Sequence, residues 1–170
     1  MGELRVRQAR AAADLEAVRS LCRDYRALLA ERTLERPEVL ANYYAEASYE
    51  ALLASLEEKH ARPDGAIFVA ELDGRIVGCG MTHRVGPETC EIKRVFTTEA
   101  ARGHGAAKAI FSEAMALARD DGYRVMVLDT MIWLTEAMAL YDRLGFSEWA
   151  PFYDVPEGFE ELIRFYGIRL

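Results

Sequence analysis

The stretch "EAARGHGAAKAIFSEAMALAR", Glu99 to Arg119, carries Arg102, Gly103 and Gly105 near its start. It then runs unbroken into an alanine-rich segment whose Ile110, Phe111, Ala114, Leu117 and Ala118 share one helical face. Just before it, "TCEIKRVFTT" (Thr89 to Thr98) reads as a strand. A strand that ends in a glycine-bearing turn and starts a helix aims several main-chain N–H groups and the helix dipole at one point, an arrangement that suits a phosphate. A Walker A loop is excluded, because Lys108 has Ala107 before it and Ala109 after it. The dinucleotide form G-x-G-x-x-G loses its third glycine to Lys108. Asp129 nevertheless falls where a ribose-binding acid would sit, so that reading stays open, although residues 130–170 are few for the rest of a doubly wound sheet. A plain surface turn is the third alternative.

Outward from this stretch, the remaining segments give an ordered series of elements. "ELRVRQA" alternates as a strand, and Asp14 is expected to cap a helix with Leu15, Val18, Cys22, Tyr25 and Leu29 on its apolar face. Pro37 suits the first turn of a second helix, whose Leu40, Tyr43, Tyr44, Ala47, Ala51 and Leu56 recur at helical spacing until Pro63. "AIFVAEL" and "RIVGCGMTHR" flank Asp73-Gly74, a strong hairpin signal. "YRVMVLDT" is apolar on both faces, as expected of a central covered strand. A short helix through Ala137, Leu140, Tyr141 and Leu144 ends at Gly145, with Phe146 placed to pack back on it. Strands are expected at Ser147 to Tyr153 and in "LIRFYGIRL". The order predicts an α/β domain built on one mixed sheet.

Composition narrows the function classes. The 170 residues are 51% hydrophobic and 29% charged, which fits one domain over residues 1–170. Twenty-eight acidic residues against 21 basic ones give a net charge of −7, so neither a nucleic-acid backbone nor an anionic membrane is an expected partner. No apolar run approaches the roughly 20 residues of a membrane span, and "MGELRVRQAR" lacks a secretory apolar segment, so the expected location is cytoplasmic. Cys22, Cys79 and Cys90 are scattered, with no CxxC and no histidine cluster, so neither a disulfide framework nor a metal site is expected.

Three motifs in order carry a resemblance. Arg102-Gly103-His104-Gly105-Ala106-Ala107 resembles the R-x-x-G-x-[G/A] pyrophosphate loop of the GNAT superfamily of acetyl-CoA-dependent N-acetyltransferases. "EIKRVFTTEAARGHG" and "GYRVMVLDT" are similar to its fourth strand with loop and its fifth strand, and "AMALYDRLGF" to its A-x-x-L-Y-x-x-x-GF signature. The resemblance implies a mostly antiparallel central sheet of about seven strands flanked by about four helices, and acetyl-CoA as cosubstrate for transfer to a primary amine of a small molecule or protein. A non-catalytic acyl-CoA sensor of the same fold is the alternative. The family's strand pairing across subunits also implies a homodimer.

By the same resemblance Val95 and Thr97 would offer main-chain groups to the pantetheine arm. Arg102, Gly103, His104, Gly105, Ala106 and Ala107 would give N–H groups to the pyrophosphate, with Lys108 nearby. Leu134 departs from the asparagine that many members carry there to meet the cofactor. Tyr141 stands where the family commonly has the acid that protonates the departing thiolate, a role that a phenol with an ordinary pKa near 10 can fill. Its place on the apolar helical face also suits a plain core tyrosine. By two-residue alternation, Glu91 and Lys93 share the strand face of Val95 and Thr97, which would let Glu91 act as base; a pairing of Glu91 with Lys93 or Arg94 is the other reading. His83 is a candidate by residue type, and Cys90 is expected in the core. Tyr43, Tyr44, Tyr49, Trp133, Phe152 and Tyr153 are aromatic enough to wall an acceptor pocket, though such residues more often pack in the core.

Overall fold

The computed structural model describes residues 2–170. Strand β1 (Leu4–Gln8) leads into α1 (Ala12–Arg32), and α2 (Pro37–Tyr43), α3 (Glu46–Ala54) and α4 (Leu56–Lys59) follow. The strands β2 (Ala66–Leu72), β3 (Arg75–Gly86) and β4 (Thr89–Thr97) meander antiparallel. A short 3-10 turn (Glu99–Ala101) precedes α5 (Ala106–Asp120), β5 (Val125–Met131), α6 (Thr135–Leu144), β6 (Ser147–Glu148) and β7 (Ile163–Arg169). The seven strands form one sheet in the order β1-β2-β3-β4-β5-β7-β6. Only β4 and β5 run parallel, so the expected mixed, mostly antiparallel α/β sheet is what the chain builds.

Each face of the sheet has its own cover. Ile110, Phe111, Ala114 and Ala118 of α5 pack on Phe68, Cys90, Ile92 and Met126. Val18, Leu21 and Cys22 of α1, with Tyr49 and Leu53 of α3, pack on Val69, Cys79 and Met81 of the other face. All three cysteines are free and buried. The hairpin at Asp73-Gly74 forms as expected, with φ of 51° and 78° at those residues. Gly145 ends α6 at φ 93°, and Phe146 N–H returns to Tyr141 O at 3.0 Å.

Four local expectations need correction. Asp14 is not the residue before the helix: α1 starts at Ala12, and the Asp14 carboxylate reaches back from the first turn to accept the N–H groups of Arg10 and Ala11. The Arg7 guanidinium lies against the same carboxylate at 2.7 and 2.9 Å, so the acid inside the turn is held by a side chain as well as by the two amides. The second helix breaks into α2, α3 and α4. The first break lets Tyr43 pack on Phe159 while Tyr44 turns to Tyr25 and Tyr49, two directions that adjacent residues of one straight helix reach poorly. The strand after Ser147 is only two residues long, because Trp149 folds across Gly167, the single position in β7 with no side chain in the way.

The fourth correction bears on the site. Arg94 has φ 51°, and the pairing of β3 with β4 shifts register between Cys79 and Met81, so β4 carries a bulge. One extra residue reverses the alternation. Glu91 and Lys93 therefore lie opposite His83 and Met81 on the α1 side, whereas Val95 packs with the α5 cluster and the Thr97 methyl lies beside Ile110 over Gly78.

Candidate active site

Strands β4 and β5 pair only over Thr89–Glu91 and Val125–Val127. Beyond that point they separate. Thr98 N–H bonds Val77 O of β3 at 2.8 Å, so by strand alternation the main-chain groups of Thr97 and Val95 turn away from β3 and into the gap toward β5. The right-handed twist of a sheet, added to the bulge, is enough to splay two parallel neighbours whose pairing is already short.

On the α5 side of the gap is the glycine turn. Gly103 and Gly105 have φ of 78° and 74°, and a Cβ at either would meet nothing within 4 Å. Two of the expected amides are engaged inside the turn: Arg102 N–H bonds Glu99 O and His104 N–H bonds Ala101 O. The N–H groups of Gly103, Gly105, Ala106, Ala107 and Lys108 have no acceptor among the described residues, and Ala109 is the first to bond back, to Gly105 O. Arg102 and His104 are exposed, and the Arg102 guanidinium is held by Glu99 at 2.9 Å. Lys108 is exposed too. The cradle is therefore a set of free amides at the positive end of α5, and it fits a pyrophosphate.

Across the gap lies a cavity of about 250 Å³. Ile92, Lys93, Arg94 and Val95 of β4 and Leu128 and Asp129 of β5 line it, together with the rings of Tyr25, Tyr43, Tyr44, Tyr49, Tyr141 and Tyr153. The expected wall residues Trp133 and Phe152 lie outside it, in the cluster with Leu29 and Leu162. Leu134, buried ahead of α6, joins that same cluster.

Tyr141 rests on Phe111, Phe146 and Tyr166 with ring centroids 5.4 to 6.2 Å away. Burial pushes its phenol well above the ordinary value, so it keeps its proton at neutral pH. Asp129 accepts the Tyr153 hydroxyl at 2.6 Å. Burial raises its carboxyl, against the opposing pull of the Lys93 ammonium and the Tyr153 hydrogen bond. Glu91 does not line the cavity. It is 3% exposed, and its two oxygens take His83 Nε2 at 2.7 Å and Lys93 Nζ at 3.0 Å. Burial pushes Glu91 up, but His83 and Lys93 outweigh it and hold the carboxyl below its usual value. Its pairing is thus the expected one with Lys93, in a buried setting rather than a solvated one. Behind it, His60 stands edge-on to His83 at 5.5 Å, and burial depresses its imidazole to about 4. Burial also pushes the Cys90 thiol up to about 12, in keeping with a core residue.

The cavity residues that the sequence does not mark as such include Tyr25, Asp129 and Arg94. Tyr25 carries helical periodicity and nothing else to single it out, Asp129 was legible only as a ribose partner, and Arg94 only as a partner for Glu91. The signal that exposes Arg94 is the bulge, which a two-residue alternation cannot anticipate.

A parallel pair that splays beside a glycine turn of free amides joins the sheet order to the motifs, and the profile of the "Acetyltransferase (GNAT) family" matches residues 25–146. The chain belongs to the GNAT acetyltransferase family. Among its GNAT relatives, the uncharacterized N-acetyltransferase YjgM of Escherichia coli (strain K12) is 37% identical over 98 residues, 56% of this chain and 59% of the relative. The uncharacterized N-acetyltransferase C1271.07c of Schizosaccharomyces pombe is 34% identical over 106 residues, 61% of this chain and 65% of that one. These matches thus span about three fifths of each relative's length. A GNAT acetyltransferase structure from Staphylococcus aureus Mu50 superposes over 99% of both chains with a TM-score of 0.74 at 18% identity. One from Salmonella typhimurium, described with its cofactor acetyl-CoA, covers 98% of this chain and 94% of its own at a TM-score of 0.67 and 22% identity. The two structures establish the shared fold.

Proposed function

We propose that this chain transfers the acetyl group of acetyl-CoA to a primary amine by direct attack in a ternary complex. One observation carries the reading: the gap between β4 and β5 joins a cradle of free amides on one side to a cavity with a protonated phenol and a carboxylate on the other. The main-chain groups of Val95 and Thr97 would hold the pantetheine arm as an added strand. The amides of Gly103, Gly105, Ala106, Ala107 and Lys108 would hold the pyrophosphate, with the side chains of Arg102, His104 and Lys108 at its solvent edge.

The cosubstrate supplies an activated acetyl thioester, and this chain moves the protons. The amine nitrogen bonds the acetyl carbon while the carbon–sulfur bond breaks. Asp129 takes the proton that the amine loses, and Tyr141 gives its phenol proton to the departing sulfur. A buried carboxylate with a raised pKa is a better base than a solvated one, and a phenol kept neutral by burial always has its proton to give. Proton exchange through solvent then restores both groups. Glu91, which the alternation offered as the base, is a positioning residue here: it holds Lys93 at the cavity wall.

Thiol release from acetyl-CoA across a broad panel of primary amines tests the proposal. Acceptor-dependent release is expected. Tight acetyl-CoA binding with no release on any amine would replace the transferase by a sensor of the same fold.

A further inference from the structure

Arg94 is an anomaly that acetyl transfer alone does not use. It lines the cavity, and among the described residues its buried Nε has no partner and its only side-chain hydrogen bond is a weak one from Nη1 to Met81 Sδ at 3.8 Å. Among the described residues, no carboxylate lies within salt-bridge distance of it. The groups that feel its charge include no carboxylate: they are the Tyr44, Tyr49, Cys22 and Cys79 side chains and the His60 imidazole. The nearby Glu91 is already occupied by His83 and Lys93. A guanidinium partly withdrawn from water without an anion costs stability, and interior charges are otherwise paired.

The backbone adds a second cost. Arg94 sits at φ 51°, where glycine or asparagine is cheaper than a long side chain. Strain kept together with an unpaired charge marks a side chain retained for something outside the chain. Tyr43 Oη is a further cavity group that is buried without a partner.

We infer that Arg94 binds a carboxylate of the acceptor, so that the amine acetylated here belongs to a small amino acid rather than to a simple amine. This rests on the acetyl-transfer reading of the same cavity. Asp129, Arg94 and Tyr44 line the same cavity, which therefore carries an acidic and a cationic group; burial raises the Tyr44 hydroxyl, with Asp129 adding to the rise and Arg94 opposing it. An amino acid carries the matching pair: its ammonium turns to Asp129, loses a first proton to solvent to become the nucleophile and gives the second to Asp129 as the amide forms, while its carboxylate turns to the Arg94 fork, which can take both oxygens. At about 250 Å³ the cavity suits one such molecule.

The test compares L-amino acids with their amides and with the amines that lack the carboxylate, reading thiol release and, separately, binding by thermal shift in the presence of coenzyme A. The free acids are expected to exceed their amides by about 10²-fold or more in kcat/KM. In Arg94→Lys part of that preference remains, and in Arg94→Gly the acids fall to the level of the amides. Because glycine relieves the strain and removes the unpaired charge, Arg94→Gly should melt no lower than wild type, whereas a merely structural arginine would lower Tm. Equal turnover of acids and amides by the wild type would overturn the carboxylate inference and leave acetyl transfer standing. If no amine is turned over, carboxylate-dependent binding that Arg94→Gly abolishes still supports the inference while the transferase reading fails; its absence overturns both.

Discussion

Replacing Gly105 with aspartate places a carboxylate in the glycine turn, and Gly122 supplies a matched control. Both glycines are left-handed, at φ 74° and 88°, and both have nothing within 4 Å of a Cβ. Aspartate at either position should therefore cost about the same backbone strain, on the order of 1 kcal/mol, or about 2 to 4 °C in Tm for a chain of this size. The two sites differ in what they face. Gly105 precedes Ala106 at the amino end of α5, among the free amides, while Gly122 lies past the other end of that 15-residue helix, about 22 Å away. A carboxylate about 4 Å from a phosphate at an effective dielectric near 20 is repelled by about 4 kcal/mol, which salt reduces, whereas at about 22 Å screening removes the effect. Calorimetric titration with acetyl-CoA should find Gly105→Asp weakened about 10²- to 10³-fold and Gly122→Asp unchanged. Equal affinities in the two variants would refute the placement of the pyrophosphate.

Three other outcomes follow from the site and its frame. Tyr141→Phe keeps the ring among Phe111, Phe146 and Tyr166, so stability should change by no more than about 1 kcal/mol while kcat falls about 10²- to 10⁴-fold; turnover within a few-fold of wild type, with chemistry limiting, would return Tyr141 to a packing role. Asp129→Asn should lower kcat by a similar factor and remove the acidic limb of the rate profile, which in wild type lies above the ordinary carboxylate value because burial raises Asp129. A carboxyl raised in the fold contributes most below its unfolded pKa and penalises the fold once ionised, so at neutral pH the asparagine variant should melt as high as wild type or higher; a large fall in Tm with activity intact would contradict this. At Asp14 the sign is opposite: the Arg7 hydrogen bonds, with those from the Arg10 and Ala11 amides, hold its carboxyl well below the usual range. The stability it gives is full above about pH 4 and is lost as pH falls toward the native value, so Asp14→Asn should cost roughly 2 to 3 kcal/mol at neutral pH and flatten the acid limb of the stability curve.

The elements and their order were legible because each has its own local signal. Asp73-Gly74 announces a hairpin, Gly145-Phe146 a helix end, and the both-face apolar run of "VMVLDT" a covered strand. The glycine turn was legible as an anion cradle for the same reason, since two left-handed glycines before a helix are a local matter. What failed depended on contacts distant in sequence. The break after Tyr43 answers to Phe159 and Tyr25, and the Asp14 carboxylate is held by Arg7. The bulge at Arg94 is the costliest case, because one unannounced residue moves Glu91 to the opposite face from Val95 and puts an arginine into the cavity. Asp129 entered the sequence reading only through a rival fold, and its role could be seen only once β4 and β5 were known to part beside it.

The most direct test is a crystal structure of this protein with coenzyme A. The pantetheine arm is expected between β4 and β5 on the main chain of Val95 and Thr97, the pyrophosphate on the amides of Gly103, Gly105, Ala106, Ala107 and Lys108, and the thiol within hydrogen-bonding reach of the Tyr141 hydroxyl. Coenzyme A bound elsewhere, or in the gap with its thiol turned away from Tyr141 and Asp129, would contradict this placement.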